Sequence, residues 1–165
     1  MQRHFQQGWQ LGEPIGEEAT AAFESAHGVM LPEPYRSFVA LTANGATGPP
    51  SYGLVPLGEP AGHGGYAITS GSLARPFPLT EAWIWEDDEN LDKGRQASVQ
   101  GDGAVPLGTD GDGMDYVLVV SGASRGQVWM ISDVGATPVA ADFERWITGN
   151  VYPDAEWTVE NRLGR

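Results

Sequence analysis

Residues Tyr116-Val-Leu-Val-Val120 form an unbroken apolar run, and that run constrains the fold more than any other feature of the chain. A strand that is apolar on both faces must be covered on both faces, which places it inside a sheet. Ser121 to Arg125 supplies a loop, and Gly126-Gln-Val-Trp-Met-Ile131 returns beside the run as an antiparallel hairpin. Ala104 to Leu107 reads as another strand. Tyr52 to Leu57 reads as a short one, confined by Pro56 to an edge or a bulge. A brief strand is expected at Tyr66 to Thr69, within a Gly-rich loop from Gly58 to Gly71.

Helices frame these strands. From Gly16 to His27, the residues Ala19, Ala22, Phe23 and Ala26 fall at i, i+3, i+4 and i+7, predicting a narrow apolar stripe, with Gly28 as the stop. Leu31-Pro-Glu-Pro34 opens a second helix, with Pro34 suited to its first turn; Tyr35, Phe38 and Val39 form its apolar face, and Asn44-Gly45 ends it. Asp142 is placed to cap a closing helix on which Phe143, Trp146 and Ile147 share a face, and Gly149 stops it. The expected fold is α+β: an N-terminal helical hairpin, a mainly antiparallel sheet and a C-terminal helix. One domain over residues 1–165 is expected, with its core at about 13–150 and weakly ordered termini. Phe23, Leu31, Tyr35, Phe38, Val117, Val119, Val128 and Trp146 are expected to share one contiguous core.

Charge narrows the partners. A net charge of -13 argues against nucleic-acid or anionic-membrane binding, because polyanions would be repelled. It suits either solubility or steering towards a basic protein surface. Without cysteine there is no disulfide framework, thiol nucleophile or thiolate metal site. The first ten residues lack the apolar core of a signal peptide, and no run is long enough to span a bilayer, so a cytoplasmic location is expected.

The segments GVMLPEPYRSFVALTANG (28–45), YGLVPLGE (52–59), YVLVVSGASRGQVWMI (116–131) and FERWI (143–147), in that order, resemble the SUKH superfamily of Smi/Knr-like proteins. The most specific part is Leu31, Pro32, Tyr35 and Phe38 followed by Asn44-Gly45; Arg125-Gly126 and Val128-Trp129 support it independently. The resemblance covers residues 13–150 and implies an α+β fold with a mainly antiparallel sheet. Its implied activity is neutralisation of a cognate secreted bacterial toxin by binding in the producing cell's cytoplasm. It carries over no catalytic residue and no cofactor, and the matched positions look like packing and turn determinants.

The candidate binding site is the segment Trp83, Trp85, Glu86, Asp87, Asp88, Glu89 and Asp92, with Glu81 just before it. Carboxylates rimming an aromatic anchor suit an interface, and two tryptophans two residues apart share one strand face. The plain alternative is a solvated charged loop. Asp110 to Asp115 fails as a calcium loop, because Met114 stands at the fifth position, Asp115 at the sixth and Ser121 at the twelfth; an Asp/Gly turn explains it. His4, His27 and His63 form no convergent metal set, and neither Gly62 to Gly65 nor Gly101 to Gly103 has the Lys and Ser/Thr of a phosphate loop. The expected protein is thus a non-enzymatic monomer or weak dimer that binds a protein toxin, a basic one such as a nuclease on charge grounds, without cofactor or metal. The alternatives are a signalling scaffold and an enzyme with an unrecognised carboxylate site.

Overall fold

The structure, a computed structural model, describes residues 10–47, 53–60, 71–109 and 113–149. Its centre is a five-stranded antiparallel sheet of β3 (Trp83–Ile84), β4 (Ala104–Thr109), β5 (Asp115–Val119), β6 (Val128–Ile131) and β7 (Gly135–Ala140), in the order β3-β7-β6-β5-β4. A two-stranded sheet pairs β1 (Gln10–Leu11) with β2 (Ala46–Thr47). Helices α1 (Gly16–His27), α2 (Tyr35–Leu41), α3 (Lys93–Gly101) and α4 (Phe143–Ile147) complete an α+β fold. The hairpin read around the apolar run is β5 with β6, where Val117 pairs with Trp129 and Leu118 with Val128.

β5 is buried along its length, and its side chains alternate between two cores. Tyr116, Leu118 and Val120 face α2 and α4, where Tyr35 and Phe38 pack their rings on Phe143 at 5.1 and 5.0 Å, and Tyr116 packs on Trp146 at 5.5 Å. Val117 and Val119 face the other way, into a core of Phe77, Leu79, Trp85, Val99 and Trp129. The single core expected from the sequence is therefore two, divided by the sheet. Val117 and Val119 part company with Leu31, Tyr35, Phe38, Val128 and Trp146 because neighbouring strand residues point to opposite faces.

The second face is covered by an extended segment and a helix the pattern of residues did not announce. Phe77 N–H donates to Ser121 O (2.8 Å), and Gly103 N–H donates to Ser72 O (3.0 Å). At Gly103, with φ +69, a Cβ would sit 2.3 Å from Phe77 N, so only glycine admits this approach. Ser124 Oγ donates to Leu79 O within the core (2.7 Å). Helix α3 is capped by Asp92 and buries only Val99, which explains why no apolar period marks it. β7 was hidden for another reason. Pro138 interrupts its sequence, yet the pairing skips Val139 between Val128↔Ala140 and Trp129↔Pro138, and a bulge tolerates proline there. That bulge turns both Val139 and Ala140 into the helix-side core.

Three N-terminal expectations need correction. Ala19, Ala22 and Ala26 are exposed; α1 instead turns Thr20, Phe23, Glu24 and His27 inward, one register round from the apolar stripe. A buried carboxylate decides that register. Glu24 Oε2 accepts from Leu31 N (2.7 Å) and Glu24 Oε1 from Arg36 Nε (3.0 Å), so one side chain ties the helical hairpin together. Pro34 is the N-cap of α2 and not part of its first turn. The strand expected at Tyr52 to Leu57 reduces, among the described residues, to a bridge of Leu54 with Ala46, while Val55 N–H donates to the bulged Leu107 O of β4 (2.8 Å). The strand expected at Tyr66 to Thr69 and the tail from residue 150 lie outside the described residues.

Mutations in both cores and at the helical hairpin test this architecture. Phe38→Ala and Phe77→Ala should each cost about 3–5 kcal/mol in denaturant unfolding, since both rings are 2% exposed. Because the sheet separates them, the double variant should be additive to within about 0.5 kcal/mol. Glu24→Ala should cost about 1.5–3 kcal/mol by orphaning the Leu31 N–H. The hydrogen bond from Arg36 holds the Glu17 carboxyl below its ordinary range. A pKa lower in the folded state than in the unfolded one contributes stability at neutral pH that fades as pH falls through the lowered value. Glu17→Gln should therefore flatten the acid side of a stability–pH profile.

Candidate functional site

The tryptophan and carboxylate segment lies on β3, at one edge of the sheet, and in the turn that follows. Trp83 pairs with Ala136 and Ile84 with Gly135, antiparallel. The approach is close enough that a Cβ on Gly135 would stand 2.7 Å from Trp83 O, so glycine lets the edge strand dock. Trp85 N–H and Glu86 N–H both donate to Val134 O (3.0 and 3.1 Å), which ends the strand and begins the turn.

The two tryptophans do share a face, as their spacing requires, and their rings meet edge to face at 5.4 Å. Their surroundings differ. Trp85 is 3% exposed and donates from Nε1 to Asp133 O (2.5 Å), so its ring supports the strand from within the second core and cannot offer itself to a partner. This corrects its place among the anchor candidates. Trp83 is half-buried, with the Arg95 guanidinium 4.9 Å from its ring centroid, a cation–π contact that covers part of its remaining surface.

The carboxylates also separate into two kinds. Asp92 Oδ1 accepts from Arg95 N (3.0 Å) as the N-cap of α3, and Asp88 Oδ1 accepts from Asn90 N (2.9 Å) in a tight turn. Those two shape the backbone. Glu86, Asp87 and Glu89 are exposed, as is Glu81 before the strand, and among the described residues none of the four is in an ion pair. Their charges are directed at solvent around the edge of β3.

Residue-pattern reasoning missed Ile84. It is 51% exposed, one of three large apolar side chains so exposed among the described residues, with Met30 and Leu41. The signal was present: in Trp-Ile-Trp the middle side chain must point opposite to the flanking rings. With both tryptophans turned into the core, Ile84 is left on the outer side of an edge strand.

Elsewhere, a cleft of about 310 Å³ opens between Leu11, Asn44, Leu54 and Pro56, and among the described residues no ionisable side chain lines it. Among the described residues, no three His, Asp or Glu side chains gather closely enough to hold a metal ion. The His27 ring stacks on Phe23 at 4.3 Å; His4 and His63 lie outside the described residues. Asp115 begins β5 and is buried, and Asp110 to Asp112 lie outside the described residues. No helix among the described residues is long and apolar enough to cross a membrane.

The four segments that carry the family resemblance interlock in space. Leu31, Tyr35 and Phe38 are core residues. Asn44 Oδ1 accepts from Leu57 N (2.8 Å), joining the first segment to the second. An Arg125 guanidinium N–H donates to Met30 O (2.7 Å), joining the third to the first, and Phe143 joins the fourth through its ring contacts. Gly45, expected as the helix stop, instead adopts φ +84 beyond the end of α2, against Leu54 O and Pro56. An α+β protein whose matched positions form the joints of its core is a fold-defined relative of the SUKH proteins. The chain belongs to the SMI1 / KNR4 family (SUKH-1), whose model matches residues 14–149. No curated protein and no solved structure is a significant match to it.

The division among the carboxylates is measurable. Asp92→Ala should lower stability by about 1 kcal/mol through loss of the α3 cap. Glu89→Ala should stay within about 0.5 kcal/mol of the parent in the same thermal melts.

Proposed function

We propose that this protein is an immunity protein of one domain that binds and neutralises a cognate secreted toxin in the cytoplasm, without catalysing a reaction. The observation that carries the reading is the edge of β3, where an exposed Ile84 is preceded along the chain by exposed Glu81 and followed by exposed Glu86, Asp87 and Glu89. Membership of the SMI1 / KNR4 family favours a protein partner, and a net charge of -13 favours one with a basic surface. A toxin acting on nucleic acid would present such a surface. The interface should bury at least about 1,000 Å² in total. Within it Ile84 forms the apolar centre, and the carboxylates form the rim.

Association and dissociation rates with the cognate toxin at two salt concentrations test the proposal. Combined Glu86→Gln, Asp87→Asn and Glu89→Gln should slow association about tenfold at low salt, flatten its salt dependence and leave the melting curve unchanged. Ile84→Ser should act mainly on dissociation. Neutralisation with rates identical to the parent's in both variants would move the contact away from β3.

A further inference from the structure

We infer that β3 is an acceptor for strand addition: an extended, basic segment of the partner pairs with its main chain and continues the sheet beyond Ile84. The inference rests on the reading that the β3 edge carries the partner contact, and it names how that contact is made.

Pairing geometry supplies the first argument. Among the described residues, β3 has a strand neighbour on one side only, β7. Residues directly opposite in an antiparallel ladder alternate between pairs that exchange hydrogen bonds and pairs that do not. Trp85 N–H donates to Val134 O across this ladder, so Trp85 and, two residues earlier, Trp83 direct their main-chain groups at β7. Ile84, between them, turns its N–H and C=O outward. The opposite edge of the sheet is different, because Leu107 O of β4 already accepts from Val55 N (2.8 Å).

Charge decides the occupant. Edge strands are commonly guarded by charged side chains against pairing with other chains. Here carboxylates predominate: Glu81 precedes the edge and Glu86, Asp87 and Glu89 follow it, while the Arg95 cation lies against the ring of Trp83. A second copy of this chain, at net charge -13, is repelled from such an edge. A segment alternating lysine or arginine with small apolar residues is admitted, its apolar side chains meeting Ile84 and its cations meeting the carboxylates. Main-chain bonds then give affinity and alternate side chains give specificity.

The probe is a short capped peptide of alternating lysine and valine, added to the full-length protein labelled for amide NMR and hydrogen exchange. The expected result is slowed exchange at the Ile84 amide, with shifts confined to Trp83 through Asp87 and the facing residues of β7. The same peptide N-methylated at alternate amides, or with glutamate for lysine, should bind at least about tenfold more weakly. Ile84→Pro deletes the outward N–H but none of the β7 bonds, and should weaken the parent peptide by a similar factor while melting normally. Equal affinity for the N-methylated peptide, shifts centred elsewhere, or no binding at about millimolar peptide overturns strand addition. No toxin enters this experiment, so those outcomes leave the immunity reading standing on its own kinetics. Conversely, toxin rates blind to the β3 variants overturn the assignment of the site whatever the peptide does.

Discussion

Burial of β5 and β6 on both faces is the constraint from which the remaining structure follows. Tyr116 and Leu118 need cover on one side, and Val117, Val119 and Trp129 need it on the other. Burying side chains of this size is the main favourable term in folding, so neither face can be left wet. The helical hairpin and α4 close the first side. The segment carrying Phe77 and Leu79, together with α3, closes the second. The chain must therefore cross from β3 at one edge of the sheet to β4 at the other, and α3 lies on that crossing.

Between the covers, the joints are polar and specific. Glu24 receives Leu31 N–H and Arg36, Asn44 receives Leu57 N–H, Ser124 donates to Leu79 O, and Arg125 donates to Met30 O. Each bond adds only about 1 kcal/mol net to stability, but losing one partner strands the other in a poorly hydrated place. These pairings therefore set the positions of layers that apolar contact alone would leave free to slide. Family resemblance concentrates at the same joints, which explains why it defines a fold more sharply than a site.

The proposed partner contact lies where this construction is least complete. β3 is an edge strand of the sheet, fastened by two tryptophans turned inward and by the close approach at Gly135. Because Trp85 is committed to the core, the strand is backed by packed side chains, and its outer side is left to Ile84 and to carboxylates without an ion pair among the described residues. A firm backing lowers the cost of ordering the site when a partner arrives.

The sequence alone determined much of the framework: both helices of the hairpin, the β5–β6 hairpin, the Asp142-capped closing helix and the α+β class. Those elements announce themselves through local signals, apolar runs and caps whose physics acts within a few residues. The acidic segment was also legible, although not the separate roles of its members. Tertiary structure alone decided the rest. Glu24 could not be read as the buried face of α1, because its burial is compensated by Leu31 and Arg36 on the next element. β7 was concealed by Pro138, since a bulge is a property of two strands and not of one. α3 shows no apolar period because a single residue, Val99, anchors it. Ile84 became exposed, and Trp85 buried, only when β3 took the edge position, because which face of a strand meets solvent depends on the neighbour it pairs with.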